Sequence, residues 1–138
     1  MLNPNYAEAY KNRGIARFYL GDKQGALADF NEALRINPNY ADAYNSRGAA
    51  RIDLGDKESA LADLNEALRI NPNYAKAYRN RGIARLYLGD KEGGFADFNE
   101  ALQINPSDAQ AYNSRGGARI DLGDKEGAIA DFNQARAN

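Results

Sequence analysis

Arginine and aspartate are the side chains whose types and spacing could do chemistry in this sequence. Arg13 and Arg17 stand four residues apart, and the pair recurs as Arg47/Arg51, Arg81/Arg85 and Arg115/Arg119. Residues at i and i+4 share a helix face, so two guanidiniums there repel unless a carboxylate lies between them. Asp29, Asp63, Asp97 and Asp131 recur at the same interval and are the natural counter-ions. A ladder of bidentate arginine–aspartate contacts, joining helices within a unit or to the next one, is the first reading. An anion-binding strip is the second. The ladder is favoured, because a residue present in every unit of a repeat usually serves the stacking.

Other chemistry is thin. There is no cysteine, which excludes disulfides, thiolate metal sites and thiol catalysis. There is no histidine, which removes the commonest general base and transition-metal ligand. A nucleophile at Ser46 or Ser114 would have no base specified for it, and the acidic residues recur at fixed positions, as caps and solvated faces do. No catalytic residue, metal or cofactor is expected. A net charge of −1 and a pI near 5.5 argue against a phosphate-backbone binder, which needs a basic stripe. No apolar run approaches the ~18 residues of a membrane span. The opening Met-Leu-Asn-Pro has neither the basic nor the apolar region of a signal peptide. A soluble, cytoplasmic chain is the expectation, with no nucleic acid and no membrane among its partners.

The elements that position these residues follow from a 34-residue period. Asn-Pro-Asn-Tyr-Ala opens at Asn3, Asn37 and Asn71, with a worn copy, Asn-Pro-Ser-Asp-Ala, at Asn105. Leu-Gly-Asp-Lys recurs at Leu20, Leu54, Leu88 and Leu122. Such a period marks stacked supersecondary units, here one array over 1–138 with units 3–36, 37–70, 71–104 and 105–138. In the first unit Asn5 can cap a helix of about 14 residues, with Glu8 placed to reach back. Ser107 with Gln110 forms the stricter capping box in the last unit. Gly21 sits where a left-handed residue ends the helix, and Asp22 can cap the next. Ala26, Leu27, Phe30, Ala33 and Leu34 then fall on one face, and Asn37-Pro38 stops the second helix. The unit is helix, tight turn, helix, turn, and no segment reads as a strand.

Small residues at Gly14, Ala26 and Ala33 and their repeats allow close helix crossings, with Tyr10, Leu20 and Phe30 expected to fill the space beside them. The doubled glycines Gly93-Gly94 and Gly116-Gly117 are expected to be soft helical spots rather than phosphate loops, since neither follows a strand.

These positions resemble the tetratricopeptide repeat (TPR). An early aromatic, glycine, small–aromatic–small and proline appear here as Tyr10, Gly14, Ala26, Phe30, Ala33 and Pro38, with equivalents in every unit, save the closing proline of the last. Arg13 and Arg17 stand where the family usually has apolar residues, as do their repeats. The resemblance covers essentially the whole chain. It implies an all-α fold, an α-solenoid of about eight helices in stacked antiparallel pairs forming a right-handed superhelix. It also implies a concave groove, lined by the first helix of each unit, that binds a peptide or protein segment.

In that groove the resemblance places Lys11, Asn12, Ile15 and Tyr19 from the first unit, with Phe18, and Asn45, Ser46 and Asp53 from the second. The third supplies Arg79, Asn80, Ile83 and Tyr87, and the fourth Asn113 and Asp121. Odd units carry a cation, isoleucine and tyrosine; even units carry amides and an aspartate. Beneath the 34-residue period lies one of 68. It suggests two Tyr/Ile shelves beside basic residues, suited to a peptide with apolar anchors and mixed charge. Equally, the alternation could record duplication of a two-unit block.

One subclass of the family clamps the C-terminal carboxylate of chaperone tails. Lys11 and Lys76 match two of its positions, but Ile15, Ser46 and Asn80 (with Arg79 beside it) replace the other three, so the clamp is not carried. The alternative function is self-association. The last unit has Arg136 and Asn138 where Leu34 and Ile36 stand in the first, a polar finish, while the face bearing Tyr6 and Tyr10 has no cap. Head-to-tail stacking through the end units would give a homo-oligomer. The near-identity of the units also fits a consensus-like or engineered array with no native ligand.

Overall fold

The computed structural model describes residues 6–138, and among them the chain is all-α. Eight helices form stacked antiparallel pairs: α1 (Ala7–Tyr19), α2 (Lys23–Ile36), α3 (Ala41–Asp53), α4 (Lys57–Ile70), α5 (Ala75–Tyr87), α6 (Lys91–Ile104), α7 (Ala109–Asp121) and α8 (Lys125–Ala137). They fall into two compact units, Met1–Pro72 and Asn73–Asn138. In the first, α1 pairs with α2 and α3 with α4, and α3 rests on α2 and touches α1. In the second, α5 pairs with α6 and α7 with α8, and α7 rests on α6 and touches α5.

The turn inside each pair is built as its residues dictate. Gly21, Gly55, Gly89 and Gly123 all lie at positive φ, between 85° and 89°, a conformation with no Cβ penalty only for glycine. The aspartate that follows caps the next helix: Asp22, Asp90 and Asp124 each accept from the backbone N–H three residues on at 2.9 Å. Asp56 does so at 3.4 Å, because its donor is Ser59 where the others have glycine. A Cβ built on Gly25, Gly93 or Gly127 would lie within 2.2 Å of the cap carboxylate, so serine must push it away.

Three local expectations need correction or fall outside the structure. Asn5 lies outside the described residues. Ser107 does not cap α7; its hydroxyl donates to Asn105 Oδ1 at 3.0 Å, and Asp108, one residue later, accepts from Ala111 N–H at 3.2 Å. The Asx-type turn at Asn105 engages the serine and passes the cap to the next oxygen-bearing side chain. Leu20 does not fill the helix crossing. It is the C-cap residue of α1, past the face that meets α2, and is 85% exposed.

The close crossings themselves are as tight as the small residues require. A Cβ on Gly14 would stand 2.6 Å from the Phe30 ring, on Gly82 2.6 Å from Phe98, and on Gly48 2.9 Å from Leu64. Phe30, Leu64 and Phe98 are the largest fully buried side chains. Gly94 is also a packing position, since a Cβ there would meet Leu86 at 2.8 Å and the Gly82 carbonyl at 3.0 Å. Gly117 is different: nothing lies within 4 Å of its Cβ direction.

Candidate functional site

Each helix pair holds one buried aspartate between two arginines. Arg13 Nε and Nη2 donate to the two oxygens of Asp29 at 2.9 and 2.8 Å, and Arg17 Nη1 donates to Oδ2 at 3.1 Å. Asp63 takes the same three bonds from Arg47 and Arg51, Asp97 from Arg81 and Arg85, and Asp131 from Arg115 and Arg119. Helix spacing explains this: i and i+4 on the first helix converge on one carboxylate of the second. The ladder reaches across pairs too. Arg47 Nη1 donates to Asn31 Oδ1 at 2.8 Å, and Arg115 Nη1 to Asn99 Oδ1 at 2.9 Å. Hydrogen bonding to Asp29 and Asp97 holds the Arg13 and Arg81 guanidiniums above their ordinary value. Each first arginine also lies over the tyrosine three residues before it, 5.4–5.5 Å from the ring centre. All eight guanidiniums are thus engaged with the buried carboxylates.

The residues assigned to the groove have unequal surroundings. On α1, Asn12 is exposed and Tyr19 is 82% exposed, its ring edge-on to Phe18 at 5.8 Å. Ile15 is half-buried on the cluster formed by Ala26, Phe30 and Ala50. On α3, Asn45 is buried, Ser46 half-buried, and Asp53 exposed but paired with Lys23 at 2.5 Å. In the second unit Lys76 is exposed, Asn80 and Ile83 are half-buried, Tyr87 is 60% exposed, and Asn113 and Asp121 are exposed. A cavity of roughly 670 Å³ brings Ile83 and Asn113 together with Gln110, Ser114, Phe132 and Arg136.

Lys11 and Arg79 occupy the same repeat position and meet the same downstream position with different chemistry. The Lys11 ammonium lies 5.8 Å from the Tyr40 ring centre. Arg79 instead donates to Asp108 at 2.9 Å in a largely buried ion pair, and its Nε is buried without a hydrogen-bond partner. Burial pushes the Tyr40 phenol up, with Asp42 and Glu8 adding to the shift. Asp108 and Tyr40 were not singled out from sequence, yet a signal exists. The worn Asn-Pro-Ser-Asp copy replaces tyrosine with aspartate at the position that an odd-unit cation meets. Among the described residues no acidic cluster could hold a metal ion, and no helix is long and apolar enough to cross a membrane.

Paired helices with this crossing pattern and period define a helical-hairpin repeat protein. Tetratricopeptide repeat family models match residues 7–40, 30–62, 52–113 and 109–135. The Arabidopsis OM64 TPR domain is 30% identical, with a TM-score of 0.80 over 83% of this chain and 95% of that one. The first TPR of Spaghetti (RPAP3), bound to the HSP90 peptide SRMEEVD, is 25% identical, with a TM-score of 0.82 over 88% and 97%. A thermophilic TPR protein of Thermus thermophilus has a TM-score of 0.89 over 96% of this chain and 74% of that one, at 24% identity. No curated protein sequence matches the chain. The chain belongs to the tetratricopeptide repeat family, whose members are protein–protein interaction modules and typically non-catalytic.

Proposed function

We propose that this chain binds an extended or helical peptide segment through the exposed faces of the first helices of its pairs. The observation that carries this is the pair of tyrosines, Tyr19 and Tyr87, standing exposed one turn beyond the half-buried Ile15 and Ile83. Residues four apart share a helix face, so each Ile–Tyr pair makes an apolar shelf. A tyrosine supplies large contact area at low entropic cost, and exposed aromatics are favoured anchors of binding surfaces. Asn12 and Asn113, both exposed, offer amide contacts to a peptide backbone beside those shelves.

Charge shapes the partner. Arg79 is committed to Asp108, so a ligand carboxylate would have to displace a largely buried ion pair to reach it. Lys11 and Lys76 remain the cations of the reading. A peptide recognised mainly through apolar anchors therefore fits better than an acidic peptide such as the SRMEEVD bound by the RPAP3 domain. The test is a peptide-display screen against the chain, repeated with a Tyr19→Ala/Tyr87→Ala double variant shown to fold by circular dichroism. Selected peptides should lose at least tenfold in affinity, since two anchors of about 1–2 kcal/mol each are removed. Unchanged binding by the folded double variant overturns the proposal.

A further inference from the structure

The two Ile–Tyr shelves are built alike and differ in charge. On α1 one helix face carries Glu8, Asn12, Ile15 and Tyr19, and on α5 the same spacing gives Lys76, Asn80, Ile83 and Tyr87. The amide, the isoleucine and the tyrosine are unchanged, so only the first position separates the two faces. Asp42 of α3 and Gln110 of α7 repeat that position, and both are exposed. Their exposure does not come from an end of the chain, since α3 rests on α2 and α7 rests on α6.

The cation three residues further on does not level the difference. In the first unit the Lys11 ammonium lies over the Tyr40 ring. Burial pushes the Tyr40 phenol up and the Asp42 and Glu8 carboxylates add to the shift, so both charges act at that ring. Lys11 offsets one of the two carboxylates and leaves this end of the face negative. In the second unit Asp108 stands in place of Tyr40 and accepts from Arg79 at 2.9 Å. That pair cancels, and the exposed Lys76 leaves the equivalent end positive.

Seven residues separate Glu8 from Ile15, and Lys76 from Ile83. That is two turns, about 10 Å along the helix. A bound helix covers the same distance in about seven residues and an extended segment in about three. Exposed charges at such a distance add little affinity, but they discriminate between partners by attracting one sign and repelling the other.

We propose that charge sorts the partner between the shelves. The first unit selects a segment with a lysine or arginine about 10 Å from its apolar anchor, and the second rejects that segment. In the first unit the cation meets Glu8 and Asp42; in the second it meets Lys76. The sorting rests on the peptide-binding reading of the shelves and adds the charge of the segment that each one takes.

Single tyrosine variants isolate the shelves, with folding checked by circular dichroism. Tyr87→Ala leaves the first shelf and Tyr19→Ala the second. Each is panned with a peptide-display library that fixes one leucine and randomises the rest. Selected peptides are then synthesised with lysine, glutamate or glutamine at the third or seventh residue from the leucine. On the Tyr87→Ala chain the lysine peptides should bind about fivefold tighter than the glutamate ones, a preference that shrinks in high salt. On the Tyr19→Ala chain the preference should vanish or reverse. Glu8→Lys with Asp42→Gln, added to the Tyr87→Ala chain, installs the second unit's own residues. It should abolish the lysine preference and leave the glutamine peptides unaffected. Charge sorting alone is overturned if peptides bind through the tyrosines with the same charge preference on both shelves, with none, or with one that survives the exchange. If no peptide is selected, or binding ignores both tyrosines, the shelves themselves are overturned and the sorting with them.

Discussion

Asp29, Asp63, Asp97 and Asp131 are nearly inaccessible, while the arginines that hold them keep one side in water. Burying a carboxylate is costly, and three charge-assisted hydrogen bonds offset that cost only while both guanidiniums are in place. The cluster therefore sets the register of the two helices more than it adds net stability. Removing the charge is another matter, since it leaves two guanidiniums facing each other. Asp63→Asn should destabilise the chain by about 3 kcal/mol, read from the shift in urea midpoint. Asp29→Asn should cost less, because Arg13 and Arg17 are the most exposed of the set and water can take over part of their solvation. The pairing was legible in the sequence, because i, i+4 arginines need a carboxylate between them and an aspartate recurs at the same period. That each aspartate serves the arginines of its own helix pair was decided by the structure. The partners of Lys11 and Arg79 were not legible in the sequence, since an ion pair 29 residues apart depends on how one helix pair lies on the next.

Helix by helix, the boundaries follow local chemistry: glycine at positive φ, an aspartate cap, and a proline after the stop. Where two capping side chains compete, local chemistry is ambiguous, and at Ser107 and Asp108 the turn at Asn105 decides between them. The glycines also separate into kinds that sequence alone does not distinguish. Gly82 lies against the Phe98 ring and near the Gly94 carbonyl, whereas Gly117 faces open space. Gly117→Ala should raise stability by about 1 kcal/mol through helix propensity alone. Gly82→Ala should lower it by about 1–3 kcal/mol, because a rigid ring and a backbone oxygen both crowd the new methyl. Thermal unfolding of the two variants side by side checks the contrast. Of the doubled glycines, Gly116 is a crossing position against Phe132, as the repeat of Gly14 implied, whereas its neighbour Gly117 is not.

Across the whole molecule, stability of a repeat chain is a sum of unit and neighbour terms, so a helix covered on one side only is the weakest. α8, with Ile129 exposed and Phe132 half-buried, should exchange its amide hydrogens faster than α2, α4 and α6 in dilute solution. Equal protection in all four would show that uncovered apolar residues do not set local stability here. By itself the sequence determined the repeat, the helix pairs, their turns and the arginine–aspartate chemistry, because each depends on residues close in sequence or on a strict period. Only the tertiary structure decided which copies of a repeated residue are covered. Ala16 and Ala50, or Phe132 and Phe30, are the same residue in the same local setting, and differ solely in whether another helix pair lies against them.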